Sequence, residues 1–162
     1  MAWTTDEITT ERLLLRCLTN NDWPVLERVL TDVDVRRFLG GPVDDELLTK
    51  LSTSELGDQH GAFAVVVDQL VVGTVSIDHE RDDRELSYQL LPEHWGNGYA
   101  EEASRAVLDW AWRTTDSPSL IAVTQTANAR SLGLLDRLGF AFETTFIEYD
   151  AEQTQVRIMR SD

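Results

Sequence analysis

The chain has 162 residues, 42% hydrophobic and 27% charged, enough for one globular domain with a substantial core. Fourteen lysines and arginines stand against 29 aspartates and glutamates, a net charge of −15 at pH 7, which argues against binding nucleic acid through its phosphates. No apolar run approaches the ~18 residues of a membrane span, and Met-Ala-Trp-Thr-Thr-Asp at the start carries no basic-then-apolar segment, so a cytoplasmic protein without membrane contact is expected.

Cys17 is the single cysteine and cannot close an internal disulfide; in a strand it reads as a buried, inert thiol. His60, His79 and His94 are far apart, and no cysteine or histidine pair has ligand spacing, so no metal is expected. The acidic field would draw cationic molecules such as amines, polyamines, aminoglycosides or basic N-termini, although solubility alone also accounts for it.

In chain order, residues 12–18 read as a strand. Asn20, Asn21 and Asp22 offer cap side chains, and Pro24 suits the first turn of a helix that turns Val25, Leu26, Val29 and Leu30 inward. Gly40-Gly41-Pro42 breaks the chain before a second helix over 44–54, with Leu47, Leu48 and Leu51 on one face. Residues 57–61 form a turn, and the β-branched runs 62–67 and 71–77 form a hairpin about Asp68, Gln69 and Leu70.

A charged loop, 79–84, precedes a strand over 85–91. Alternation puts Glu85, Ser87 and Gln89 on one of its faces and Leu86, Tyr88 and Leu90 on the other. A loop with Gly96 and Gly98 leads into a helix whose inward positions are Tyr99, Ala103, Ala106, Val107, Trp110 and Ala111. Ser117-Pro118 is a turn and 120–124 a strand; a helix over 128–138 ends at Gly139. Residues 140–149 and 153–160 form a closing hairpin whose apolar Phe142, Phe146, Ile147, Val156 and Ile158 leave a face for a partner, and a homodimer is expected. Repeats, low-complexity tracts and linkers are absent, and 1–162 read as one domain of α/β or mixed α+β class in the order β-α-α-β-β-β-α-β-α-β-β.

Strand, glycine turn and helix N-terminus together make an anion site. The first-turn amides lack helical partners, and the helix dipole adds about half a positive charge there. Gly96 and Gly98 allow φ > 0 and a close approach to oxygen-rich groups, so a phosphate or pyrophosphate is the expected ligand. A P-loop would need a lysine at the helix start, and a dinucleotide fold would need a third glycine where Glu101 stands.

The run Trp-Gly-Asn-Gly-Tyr-Ala-Glu-Glu-Ala at 95–103 resembles the acyl-coenzyme A pyrophosphate loop of the GNAT superfamily of N-acetyltransferases. That loop reads roughly Gln/Arg-x-x-Gly-x-Gly/Ala; Glu93 or His94 stands at the first position here, a departure from the strict form. The run is closer to the ribosomal-protein-alanine acetyltransferase branch, where an aromatic residue precedes the first glycine and Tyr-Ala-x-Glu-Ala follows. Ala-Asn-Ala-Arg-Ser-Leu-Gly-Leu-Leu-Asp-Arg-Leu-Gly-Phe at 127–140 resembles the family's late helix, and Thr-Glu-Arg-Leu-Leu-Leu-Arg at 10–16 its opening strand.

The resemblance implies a mixed, mostly antiparallel sheet with helices on both faces and a splayed central strand pair that admits the pantetheine arm. It implies acetyl-coenzyme A as co-substrate, held by Leu90, Leu91, His94, Trp95, Gly96, Asn97, Gly98, Tyr99, Ala100, Asn128, Arg130 and Ser131. A protein or peptide N-terminus is the acceptor the branch implies. A small amine, such as an aminoglycoside or polyamine, is the alternative, and a non-catalytic acyl-coenzyme A-binding module a further one.

Acetyl transfer to an amine needs a neutral amine, a polarised thioester carbonyl and a thiolate that is protonated on leaving. A lysine-type amine has a pKa of about 10.4 and an α-amine about 8, so a base must take a proton near neutrality. Glu85, opening the strand before the loop in the branch's Glu-x-x-Tyr pattern, is the expected base, with His79, Glu80 or water as alternatives. His79 and Phe38 are expected to contact substrate, and Trp23 shares Phe38's segment on the acceptor wall. The resemblance implies Ser131 as donor to the departing thiolate; Leu135 stands where many members place a tyrosine one turn further on, which leaves Ser131, or water, to protonate the sulfur. Trp110 reads as core, and Trp95 as packing its loop against the sheet.

Overall fold

A computed structural model describes residues 6–54, 56, 61–78 and 83–161. Strands β1 (Ile8–Thr9), β2 (Leu14–Cys17), β3 (Ala62–Val67), β4 (Leu70–Asp78), β5 (Glu85–Leu90), β6 (Ser119–Gln125), β7 (Ala141–Glu148) and β8 (Ala151–Met159) form one sheet. Its order is β1-β2-β3-β4-β5-β6-β8-β7, antiparallel throughout except where β5 meets β6. Helices α1 (Trp23–Thr31), α2 (Asp45–Ser52), α3 (Tyr99–Thr114) and α4 (Ala129–Leu138), with 3-10 turns at Asn20–Asp22 and Pro92–His94, complete the described elements. The two-residue β1 was not apparent in the sequence pattern, because so short a run carries no periodicity.

Alternation along the strands creates two cores. Leu15, Phe63, Val65, Val75, Ile77, Leu86, Leu90, Leu120 and Ala122 pack with Val107, Trp110 and Ala111 of α3 and Leu134, Leu135 and Leu138 of α4. Phe63 and Trp110 meet edge to face at 5.2 Å, so Trp110 is core as expected. On the opposite sheet face, Ala64 and Val66 pack with Leu18, Leu56 and, from α1, Trp23 and Leu26. Helix α2 buries no residue: Leu47, expected on an apolar face, is exposed. The helix starts because the Asp44 carboxylate accepts the Leu47 amide at 2.8 Å.

Local turn chemistry sets the hairpins. Asp68 and Gln69 have φ of 47° and 69°, and Tyr149 and Asp150 have 53° and 58°, the two-residue geometry that matches strand twist. In the closing hairpin Phe142 and Ile147 of the edge strand β7 are exposed, whereas Val156 of β8 is buried.

Two features of this frame shape the site. Strand β5 pairs with β4 along its whole length, yet it meets β6 at the single parallel pair Glu85–Ile121. Beyond that pair the two strands diverge toward Leu90 and Gln125, giving the splay that the resemblance implies. The second feature anchors α1. Arg16 of β2 donates to both carboxylate oxygens of Asp22, at 2.8 and 2.9 Å, and the Thr19 amide donates to Asp22 Oδ2 at 2.8 Å.

Asp22 is buried, and the Arg16 hydrogen bonds, opposed by desolvation, hold its carboxyl below the usual carboxylate range. Its folded pKa is depressed, so its stabilisation is full above the unfolded value of about 3.9 and fades as pH falls through the folded value. Asp22→Asn is expected to lower unfolding free energy by about 1–3 kcal/mol at neutral pH. Urea melts at descending pH should show the difference shrinking in the acid range.

Candidate active site

Between the diverging strands lies a cavity of about 750 Å³. It is lined from both sheet faces: Leu86, Tyr88 and Leu90 point toward α3 and α4, while Ser87 and Gln89 point to the side of α1. Val123 and Thr124 of β6 form the opposite wall, and Asp34, Val35, Arg37, Phe38 and Leu39, following α1, close one end. The other end is the glycine loop: His94, Trp95, Gly96, Gly98, Tyr99 and Ala100. The cavity therefore passes through the sheet, from the N-terminus of α3 to the segment that carries Phe38.

The loop is held from both sides, and its first two amides, those of His94 and Trp95, donate to the Leu91 and Pro92 carbonyls at 3.0 and 3.1 Å. After β5 a single turn of 3-10 helix, Pro92–His94, reverses the chain, and the Trp95 indole N–H donates to the Leu90 carbonyl at 2.7 Å. This is the packing expected of Trp95. Gly96 and Gly98 have φ of 78° and 79°, a region that penalises a Cβ, and Gly98 forms the N-cap of α3. Asn97 is exposed and outside the lining; its side-chain amide donates to the His94 carbonyl at 3.2 Å, and its own carbonyl accepts from Arg12 at 2.7 Å. Leu91 is buried beside the cavity, also outside the lining.

Sequence reasoning missed the clamp beneath this loop. Glu102 accepts from the Thr10 hydroxyl at 2.6 Å, the Arg12 amide at 2.9 Å and the Arg12 guanidinium at 2.7 Å. Burial opposes the charged form of Glu102, but those hydrogen bonds outweigh it and hold the carboxyl below its ordinary value. The signal was present in the Thr-Glu-Arg block at 10–12 and the second glutamate of Tyr-Ala-Glu-Glu-Ala, although neither block shows that they meet.

Helix α4 supplies the remaining residues. The Asn128 side chain caps it, accepting from the Ser131 amide at 3.2 Å, and donates to Thr124 Oγ1 of β6 at 3.3 Å. Ser131 enters the cavity, and its hydroxyl lies 2.6 Å from the Tyr88 hydroxyl. Leu135 lines the same cavity as part of the core. The missed residue here is Tyr88. Its place between Leu86 and Leu90 on the inward strand face marked a buried phenol, which generally finds a hydrogen-bond partner.

Charge around the cavity is locally basic in an acidic protein. Arg37 pairs with Asp34 at 3.1 Å and Arg137 with Glu101 at 3.4 Å, whereas Arg130 lies over the Trp95 ring at 4.8 Å. Glu85 is 7% exposed, opens β5 at the vertex of the splay, and is not among the lining residues. His79 and Glu80 lie outside the described residues. Among the described residues no group of three or more histidine, cysteine, aspartate or glutamate side chains is placed to hold a metal ion.

Residues 12–141 match the acetyltransferase (GNAT) domain family, and the chain belongs to that family. Its activity is that of an N-acetyltransferase, and acetyl-coenzyme A is the family's acyl donor. An uncharacterized N-acetyltransferase of Bacillus licheniformis is 28% identical over 152 residues, covering 87% of this chain and 85% of the relative. The fold is shared with a spermidine N-acetyltransferase from Vibrio cholerae solved with coenzyme A and spermine, at TM-score 0.76 and 20% identity, covering 93% of this chain and 96% of the other. It is also shared with an acetyltransferase from Salmonella typhimurium that modifies the N-terminal serine of a 50S ribosomal subunit protein, at TM-score 0.76 and 15% identity, covering 96% and 100%.

Gly98→Val should weaken coenzyme A binding more than loss of any single loop side chain, because the contact surface offered is backbone. Arg130→Ala should weaken it about tenfold at low salt and by less at high salt, where exposed charges are screened. Isothermal titration of both folded variants with coenzyme A checks these outcomes.

Proposed function

We propose that the chain transfers the acetyl group of acetyl-coenzyme A to the α-amine of a protein or peptide N-terminus, in a ternary complex. The observation that carries this reading is the cavity through the splay, with a phosphate-suited loop at one end and the segment that carries Phe38 at the other. The pyrophosphate would rest on the amides of residues 96–100, since those of His94 and Trp95 are engaged by Leu91 and Pro92, with Arg130 beside it, and the pantetheine arm would lie between β5 and β6, where Leu90, Ser131 and Asn128 stand. The acceptor would enter past Phe38, with His79 as a further contact.

The chemistry follows from what borders the cavity. Glu85 takes a proton from the acceptor amine through water, since its carboxylate sits at the vertex rather than on the lining. The neutral amine attacks the thioester carbonyl carbon, and the C–S bond breaks with its electron pair on sulfur. The Ser131 hydroxyl gives its hydrogen to the sulfur and in concert recovers one from water, which takes up the second proton shed by the acylated nitrogen.

Support for a peptide acceptor comes from the likeness of residues 95–103 to the ribosomal-protein branch and from the shared fold of the Salmonella enzyme. A second reading, a polyamine or other small cationic amine, is favoured by the net charge of −15 and by the shared fold of the spermidine enzyme. Thiol release from acetyl-coenzyme A with peptides, polyamines, aminoglycosides and amino acids separates the two. Turnover of peptides that stops on blocking their α-amine supports the first. Saturable coenzyme A binding without turnover of any amine would make the chain a binding module.

Two outcomes test the details. Glu85→Gln should lower kcat most at neutral pH, with recovery as rising pH deprotonates the amine unaided; an unchanged pH–rate profile would remove Glu85 as the base. The exposed Phe142 and Ile147 on the sheet edge support a homodimer, and light scattering at micromolar concentration should give twice the chain mass.

A further inference from the structure

The Tyr88–Ser131 contact joins two elements that the cavity otherwise separates. Tyr88 comes from the inward face of β5, and Ser131 from the first turn of α4, where the Asn128 cap fixes the backbone. Their oxygens are 2.6 Å apart, and either atom can be the donor. A lone serine hydroxyl is free to rotate and is a weak acid. Two hydroxyls in contact share one proton between them and leave the other free. A phenol is much more acidic than an aliphatic alcohol, so the favoured arrangement has Tyr88 donating and Ser131 accepting. The free proton is then the one on Ser131, directed at the cavity. Donation into Ser131 Oγ also polarises its O–H bond and strengthens it as a donor.

We propose that Tyr88 is a positioning residue: through its hydrogen bond to Ser131 it orients and strengthens the serine hydroxyl that meets the sulfur of coenzyme A. The proposal rests on the acetyl-transfer reading above and adds a residue to it. It places a second hydroxyl, from β5, beside Ser131 in a cavity where α4 carries the apolar Leu135. Tyr88 keeps its own proton through the step. As the C–S bond breaks, the electron pair stays on sulfur, Ser131 gives its hydrogen, and water restores it while taking up the proton that the acylated nitrogen sheds. Burial raises the Tyr88 pKa above its ordinary value, against the lowering effects of the Ser131 bond and of Arg137 and Arg130, so the phenol remains a donor across the neutral range.

The test reads the bound thiol directly. Coenzyme A is titrated with base on the wild-type protein, Tyr88→Phe, Ser131→Ala and the double variant, following thiolate absorbance in the ultraviolet. A donor aimed at the sulfur stabilises the thiolate, so the wild-type protein should lower the bound thiol's pKa by about one unit from a free value of about 8.5. Tyr88→Phe should restore part of that shift and Ser131→Ala all of it, with no further change in the double variant. With an accepted amine, Tyr88→Phe should lower kcat about tenfold and leave KM for acetyl-coenzyme A within about twofold.

Normal thiol pKa and turnover in Tyr88→Phe would overturn the proposal while leaving the acetyltransferase reading intact. Effects of Tyr88→Phe and Ser131→Ala that multiply in the double variant would overturn it too, since Tyr88 would then act through packing alone. A wild-type protein that does not bind coenzyme A would overturn the acetyl-transfer reading and this inference together. Ser131→Ala probes the same bond from α4, so a folding defect in one variant does not shield the idea.

Discussion

The divergence of β5 from β6 is the constraint on which the rest of the structure turns. The two strands run parallel and share one pair, Glu85–Ile121, before separating. Neither can swing back to close the gap, because β5 is held along six residue pairs by β4 and β6 along seven by β8. The edges facing the gap carry peptide groups that, unpaired and away from water, would destabilise the fold. Such an opening persists where water or a ligand can meet those groups, and a pantetheine arm with two amides of its own is suited to do so. The open end of the V also gathers the three elements that matter chemically: the glycine loop, the start of α3 and the capped start of α4.

Binding through backbone amides demands a loop whose shape is set before the ligand arrives, since ordering it on binding would cost affinity. Side chains supply that order here. The Trp95 indole fastens the loop to the end of β5, and Arg12 reaches the Asn97 carbonyl while pairing with Glu102 in the first turn of α3. Gly96 and Gly98 adopt the left-handed backbone, which a side chain would disfavour. By contrast, the Arg28–Glu93 pair, which links α1 to the same loop, is about half exposed and adds little, because solvent screens it.

Charge is arranged on two length scales. The whole chain carries −15, a field that would draw a cationic acceptor and repel a polyphosphate donor. At about 8 Å of screening length in physiological salt, the local groups decide which ligand is held at each end. Arg130 over Trp95, and Arg137 tethered by Glu101, stand beside the glycine loop, so a donor meets guanidinium groups at short range. Both side chains sit on α4, whose N-terminus also opens toward the cavity.

Features that depend on a few consecutive residues were legible in the sequence. Gly96 and Gly98 before an amphipathic run announced a strand–turn–helix anion site, Asn128 announced a cap, Gly139 a helix end, and alternation in 85–90 put Glu85 and Tyr88 on opposite faces. Each is dictated by backbone sterics or by side-chain periodicity, which act within one or two turns. The splay itself came from family resemblance and not from pattern, because no residue of β5 or β6 encodes where its neighbour departs. Likewise Tyr88 meets Ser131 across 43 positions and Arg12 meets Glu102 across 90. A strand pattern states that a side chain points inward, but its partner is chosen by how α3 and α4 pack on the sheet. The sequence by itself therefore determined the loop, the caps and the faces, while only tertiary packing decided which hydroxyls and carboxylates share the cavity, since those contacts exist only once distant elements are brought together.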